Sequence, residues 1–80
     1  MARYYFHLKQ GDEVVTDEEG QELPSLGKAT AMAVNGAREL VASAIKNGRD
    51  LQIYAIVIED DSGQTTLLPL AEVVPKRFRG

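Results

Sequence analysis

Residues 26–47, LGKATAMAVNGARELVASAIKN, decide the fold of this chain. Apolar or small residues recur there at spacings of three and four: Leu26, Ala29, Ala33, Gly36, Ala37, Leu40, Val41 and Ala44. That is the period of an amphipathic helix. Ser25 stands where an N-cap is expected. Lys46 falls in the last turn, and Gly48 is available for the left-handed position beyond it. The stripe is made of small residues, and Gly36 costs about 1 kcal/mol relative to alanine inside a helix. The pattern therefore predicts that Gly36 faces a sheet and permits close approach, so that leucine there overpacks the contact.

On both sides of the helix the period falls to two. Arg3 to Leu8 reads as a strand with Tyr4, Phe6 and Leu8 on one face and Tyr5 and His7 on the other. The turn at Lys9-Gln10-Gly11-Asp12 returns it through Glu13–Thr16, which makes a first hairpin over residues 3–16. Gln21 to Pro24 is an extended lead-in, because Pro24 disfavours helix at the residue before it. Leu51 to Ile58 is apolar on both parities, and Asp60-Asp61-Ser62-Gly63 turns it into a second hairpin ending near Leu68. Pro69 suits an edge strand. The expected architecture is α+β in the order ββαββ: a four-stranded antiparallel sheet with one long helix on one face. One domain is expected over residues 1–71, followed by an irregular tail over residues 72–80.

Composition narrows the function classes. The chain has 80 residues and no cysteine, which removes disulfides, zinc–thiolate sites and thiol catalysis. It has no apolar run of membrane-spanning or signal-peptide length, so a cytoplasmic protein without a membrane partner is expected. The net charge is −3. Acids concentrate before the helix (Asp12, Glu13, Asp17, Glu18, Glu19, Glu22) and bases near the end (Lys76, Arg77, Arg79). An acidic body repels phosphate, and the short Lys76-Arg77-Phe78-Arg79 run is too small to reverse that, so nucleic acid is not expected as a partner.

The residues that could carry chemistry read as structural. His7, the sole histidine, has no nucleophile or base beside it in the pattern and reads as a strand residue on the second sheet face. The acidic run lacks the spacing of a calcium loop. Asp60 and Asp61 lie on a turn, with no apolar pocket to separate their protonation states. The glycines match neither a dinucleotide fingerprint nor a phosphate loop. No catalytic residue, cofactor or metal is expected.

One feature exceeds the ordinary. A single helix covers one sheet face, and the other carries Tyr5 and His7 together with either Tyr54, Ile56 and Ile58 or Leu51, Ile53 and Val57 from the third strand. Either set is too apolar to leave wet. The expected interface is Tyr5, His7, Tyr54, Ile56 and Ile58. The expected state is a homodimer through that face, and the competing cover is the tail through Val73, Val74 and Phe78.

Arg3-Tyr4-Tyr5-Phe6-His7-Leu8, then Asp17-Glu18-Glu19-Gly20, then Glu22-Leu23-Pro24 and an alanine-rich helix resemble a family of small bacterial proteins known only as a domain of unknown function. That resemblance implies no activity. The arrangement of hairpin, glycine turn and helix is also similar to the N-terminal domain of HicB-type antitoxins. The function expected from all this is a non-catalytic, self-associating interaction module. The alternative is a regulatory, antitoxin-like protein that binds and sequesters a protein partner.

Overall fold

A computed structural model describes residues 1–73. The chain runs β1 (Ala2–Gln10), β2 (Glu13–Val15), β3 (Gln21–Leu23), α1 (Leu26–Lys46), β4 (Ile53–Asp60) and β5 (Thr65–Pro69), then a single 3-10 turn at Leu70–Glu72. The strands form one antiparallel sheet in the order β2-β1-β4-β5, with β3 also paired to β1.

The sheet has five strands rather than the expected four, because the lead-in Gln21–Leu23 is itself a strand. β2 and β3 share one edge of β1. β2 pairs with its end, Leu8 opposite Val15, and β3 with its beginning, Ala2 opposite Leu23. The nine-residue β1 is three times as long as either partner, so a single short return strand would leave about two thirds of that edge unpaired. The chain, already extended ahead of Pro24, supplies the second partner.

The helix is bounded as its chemistry dictates. Ser25 is extended and its hydroxyl accepts from the Lys28 N–H at 3.2 Å. At the other end Gly48 adopts φ +63°, its N–H donates to the Ile45 carbonyl, and the Arg49 N–H donates to Ala44. This closes the last turn as a Schellman motif.

α1 lies on the face of the sheet that carries Tyr4, Ile56 and Ile58, and it meets them with Ala29, Ala33 and Ala37. Large side chains come from the strands and small ones from the helix, so helix and sheet approach closely. Leu70 and Val73 complete this core. Val73 thus packs in the core rather than over the open face. Val74 and Phe78 lie outside the described residues.

Gly36 departs from the expectation. A Cβ built there meets nothing within 4 Å. The buried stripe is Ala29, Ala33 and Ala37, and the residue before Ala37 points about 100° away from it. Gly36 instead opens onto a groove of about 360 Å³ between helix and sheet, lined by Phe6, Leu8, Met32, Leu40 and Ile56 among others. The first carbon of a side chain added at this position meets open space rather than the sheet.

Candidate functional site

The open face is set by strand parity and by one irregularity. Tyr4, Phe6 and Leu8 pack toward the helix, so Tyr5, His7 and Lys9 point the other way. Cross-strand partners share a face. Tyr5 lies opposite Glu59, His7 opposite Val57 and Lys9 opposite Ala55 on β4. Glu59 in turn pairs with Thr65, Val57 with Leu67 and Ala55 with Pro69 on β5. Three rows result: Tyr5–Glu59–Thr65, His7–Val57–Leu67 and Lys9–Ala55–Pro69. Val14 on β2, 52% exposed, extends the last row beyond Lys9, and Leu67 in the middle row is 55% exposed.

Two of the five expected interface residues do not belong here. Ile56 and Ile58 are 3% and 1% exposed, because they pair with Leu8 and Phe6 and share the helix face. Neither alternative set from β4 stays together. Beyond Lys9 the register slips, so that Gln10 faces Ile53 and Tyr54 is left as an extra, unpaired residue. Such a bulge reverses the alternation. Ile53 consequently joins Ile56 and Ile58 against the core, while Val57 goes to the open face. Tyr54 remains 51% exposed at the bulge. Tyr5 and His7 stand where strand parity puts them.

His7 is held by a network that the sequence does not display. Its Nδ1 accepts from the Asp17 backbone N–H at 3.0 Å, and Nε2 lies 2.8 Å from Glu59 Oε1. A nitrogen that accepts an N–H carries no proton of its own, so the network assigns the hydrogen to Nε2, which donates it to the carboxylate. The Tyr5 ring lies parallel to the imidazole, 6.3 Å between centroids. Both ring nitrogens are engaged, and neither has a lone pair free to take a proton from a substrate or to bind a metal.

Asp17 organises the loop between β2 and β3. One carboxylate oxygen accepts from the Phe6 N–H at 3.1 Å, and the other from Glu19 and Gly20, each at 3.2 Å. The side chain thus takes the place of a strand partner where β1 lacks one. Desolvation pushes its carboxyl up, but the three backbone donors and the neighbouring His7 together outweigh it and hold the group below the ordinary aspartate value. Gly20 takes φ +67°, and a Cβ there would sit 2.9 Å from both the Tyr4 carbonyl and the Tyr5 ring. The loop closes onto β1 only with glycine at this position.

Asp60 is committed in the same way. Its Oδ1 accepts from the Ser62 hydroxyl at 2.6 Å and from the Ser62 and Gln64 N–H groups at 2.9 and 3.0 Å. The hydroxyl chiefly, and the backbone donors with it, hold this carboxyl below its usual range despite a desolvation contribution of opposite sign. Of the pair Asp60 and Asp61, Asp60 ties down the hairpin turn, while an Asp61 carboxylate oxygen lies 3.4 Å from the Arg3 N–H. Among the described residues no three metal-binding side chains converge. Nor is any helix among them long and apolar enough to cross a membrane. The depression bounded by Tyr5, His7, Asp17, Glu59 and Asp61 makes that end of the face acidic, with Arg3 beside it paired to Glu22, whereas Lys9 stands at the far end.

The fold and this face define a class: an α+β domain whose sheet, among the described residues, is covered by one helix on one side and by no element on the other. The chain belongs to the family described as a domain of unknown function, DUF6894, whose model matches residues 3–71. The match runs from the first residues of β1 into the turn that follows β5. No curated protein and no solved structure matches the chain, and the likeness to HicB-type antitoxins finds no support in these comparisons. Tyr5 and His7 on the strand and Asp17 and Gly20 on the loop, which stand among the residues that carry the resemblance, build a clamp on β1.

Proposed function

We propose that this domain is a non-catalytic protein-interaction module that self-associates through the bare face of its sheet. One observation carries the reading. Tyr5, Val57 and Leu67 stand on a sheet face that no element among the described residues covers, while the opposite face of the same strands is closed by α1. An apolar patch of a few hundred Å² on a small soluble domain marks a contact surface. A chain of 80 residues has a thin core, and association adds stability that folding alone barely supplies. A symmetric pair is the commonest way to cover such a patch.

The chemistry of the face supports binding over catalysis. The imidazole of His7 is engaged at both nitrogens, and Asp17 and Asp60 are spent on backbone donors. The cysteine-free composition suits the reducing cytoplasm, where we place the protein.

Sedimentation at tens of micromolar tests the reading. The expected mass is near twice 8.8 kDa. Val57→Asp, at the centre of the face, should give a folded monomer. A wild-type chain that stays monomeric up to millimolar concentration would refute self-association.

A further inference from the structure

The bare face is not uniform, and its pattern selects one way of seating a second copy. This inference rests on the self-association reading above and adds the geometry of the pair. Along the strand direction the face has one end where carboxylates outnumber the single guanidinium of Arg3, a middle row of His7, Val57 and Leu67, and a far end where Lys9 is the charged side chain beside Val14, Ala55 and Pro69. Glu59 stands in the Tyr5 row, with Glu18 and Asp61 bordering the same depression. Val57 and Leu67 occupy the middle row beside His7, and Lys9 stands in the last row.

Two sheets that pack face to face lie about 10 Å apart with their strands aligned to within about 30°. A two-fold axis between them has two simple settings. Set along the strands, it puts the acidic end of one copy over the acidic end of the other, and β1 over β5 of the partner subunit. Set across the strands, it reverses the strand direction, so each strand lies over its own counterpart and the acidic end of one copy meets the basic end of the other. Like charges brought together across a desolvated contact suppress the first arrangement, and complementary ends favour the second.

We propose that the domain pairs through this face about a two-fold axis running across the strands, with Lys9 of each copy set against Tyr5 and Glu59 of the partner subunit and with Val57 and Leu67 each meeting their own counterpart on the axis. Tyr5 and Glu59 are cross-strand neighbours, so one ammonium group reaches both a ring face and a carboxylate. Glu59 keeps its bond to His7 through Oε1, which leaves its second oxygen for that cation. Leu67, the most exposed apolar residue of the three rows, then meets its own counterpart across the axis.

The absence of cysteine makes the test direct. Single-cysteine variants Leu67→Cys and Thr65→Cys are treated at micromolar concentration with a short bismaleimide that spans roughly the 10 Å between facing sheets. Both positions are exposed, so neither substitution disturbs the core. The expected result is rapid cross-linking of Leu67→Cys to itself and little for Thr65→Cys, whose counterpart faces Pro69 of the partner subunit. A mixture of Thr65→Cys and Pro69→Cys should cross-link between chains. Lys9→Glu should raise the dissociation constant about tenfold, through the loss of an ion pair and a cation–ring contact. Equal cross-linking at positions 65 and 67 in a chain that sediments as a dimer overturns the seating and leaves self-association standing. A monomer in sedimentation overturns both.

Discussion

The two faces of this sheet are made by the same strands, and adjacent residues serve opposite ends. On the covered side Tyr4, Ile56 and Ile58 meet a helix stripe of three alanines, and burial is close to complete. On the bare side Tyr5, His7, Val57 and Glu59 are half-buried and are held by hydrogen bonds and ring stacking rather than by a second layer. Ile58 and Val57 are neighbours in β4, yet one is sealed in the core and the other waits on a surface. The lesson is that the one helix among the described residues covers one of the two faces, and no described element lies over the other.

The contrast breaks most visibly at those two neighbours. Ile58→Ala should lower stability by about 2–5 kcal/mol, enough to unfold much of the population of so small a domain. Val57→Ala should cost the monomer less than about 1 kcal/mol. Urea titrations of both variants at a concentration where the chain is monomeric read the difference, and equal losses would mean that the bare face is already covered in the monomer. Next in size is Gly20→Ala, which must accommodate a Cβ against the Tyr4 carbonyl at a positive φ. A loss of about 1–3 kcal/mol is expected, measured as a lowered thermal midpoint. An unchanged midpoint would show that the loop is free to move away from β1.

A smaller effect is expected at Asp17, where the sign of the pH dependence can be worked out. Its folded carboxyl binds protons less readily than the unfolded one, so between the two values the unfolded chain carries the additional proton. The contribution is therefore present above the ordinary aspartate value near 3.9 and is lost as pH falls through the depressed folded value. Asp17→Ala should cost about 1 kcal/mol near neutrality and should flatten the acid limb of the stability profile. Asp60 acts in the same direction at the tip of the second hairpin, so the flattening at Asp17 should be partial. An acid limb identical to that of the parent would remove the carboxylate from the clamp. The smallest effect is at Gly36. Gly36→Ala should raise stability by up to about 1 kcal/mol, because helix propensity improves and nothing obstructs the new methyl group. A loss there would mean that helix and sheet are closer than the groove implies.

Legibility in the sequence followed the range of the signal. The long helix was readable to within a residue at its end, expected over 26–47 and found at Leu26–Lys46, since its period, cap and stop are all local. Both hairpins were readable for the same reason. The third strand, three residues beside a proline, has too few positions to display a period; only the unpaired edge of β1 makes it a strand. The candidate site divides in the same way. Tyr5 and His7 share a face by parity within one strand. The placement of Ile56 and Ile58 depends on which side of β4 receives the helix, and the bulge at Tyr54 mixes the two sets that alternation keeps apart.

What the amino-acid sequence determined by itself was the place of the long helix and of the two hairpins, the small-on-large packing of helix against sheet, and the imbalance of one helix against two sheet faces. Each of these follows from local propensity, period and the count of covering elements. Only the tertiary structure decided that Gly36 opens a groove, that Asp17 stands in for a strand, that His7 has no free nitrogen, and that charge runs from acid to base along the open face. Those depend on the azimuth of the helix and on cross-strand register. Both are set by contacts between residues as far apart as His7 and Glu59, whose pairing is visible only once the strands lie side by side.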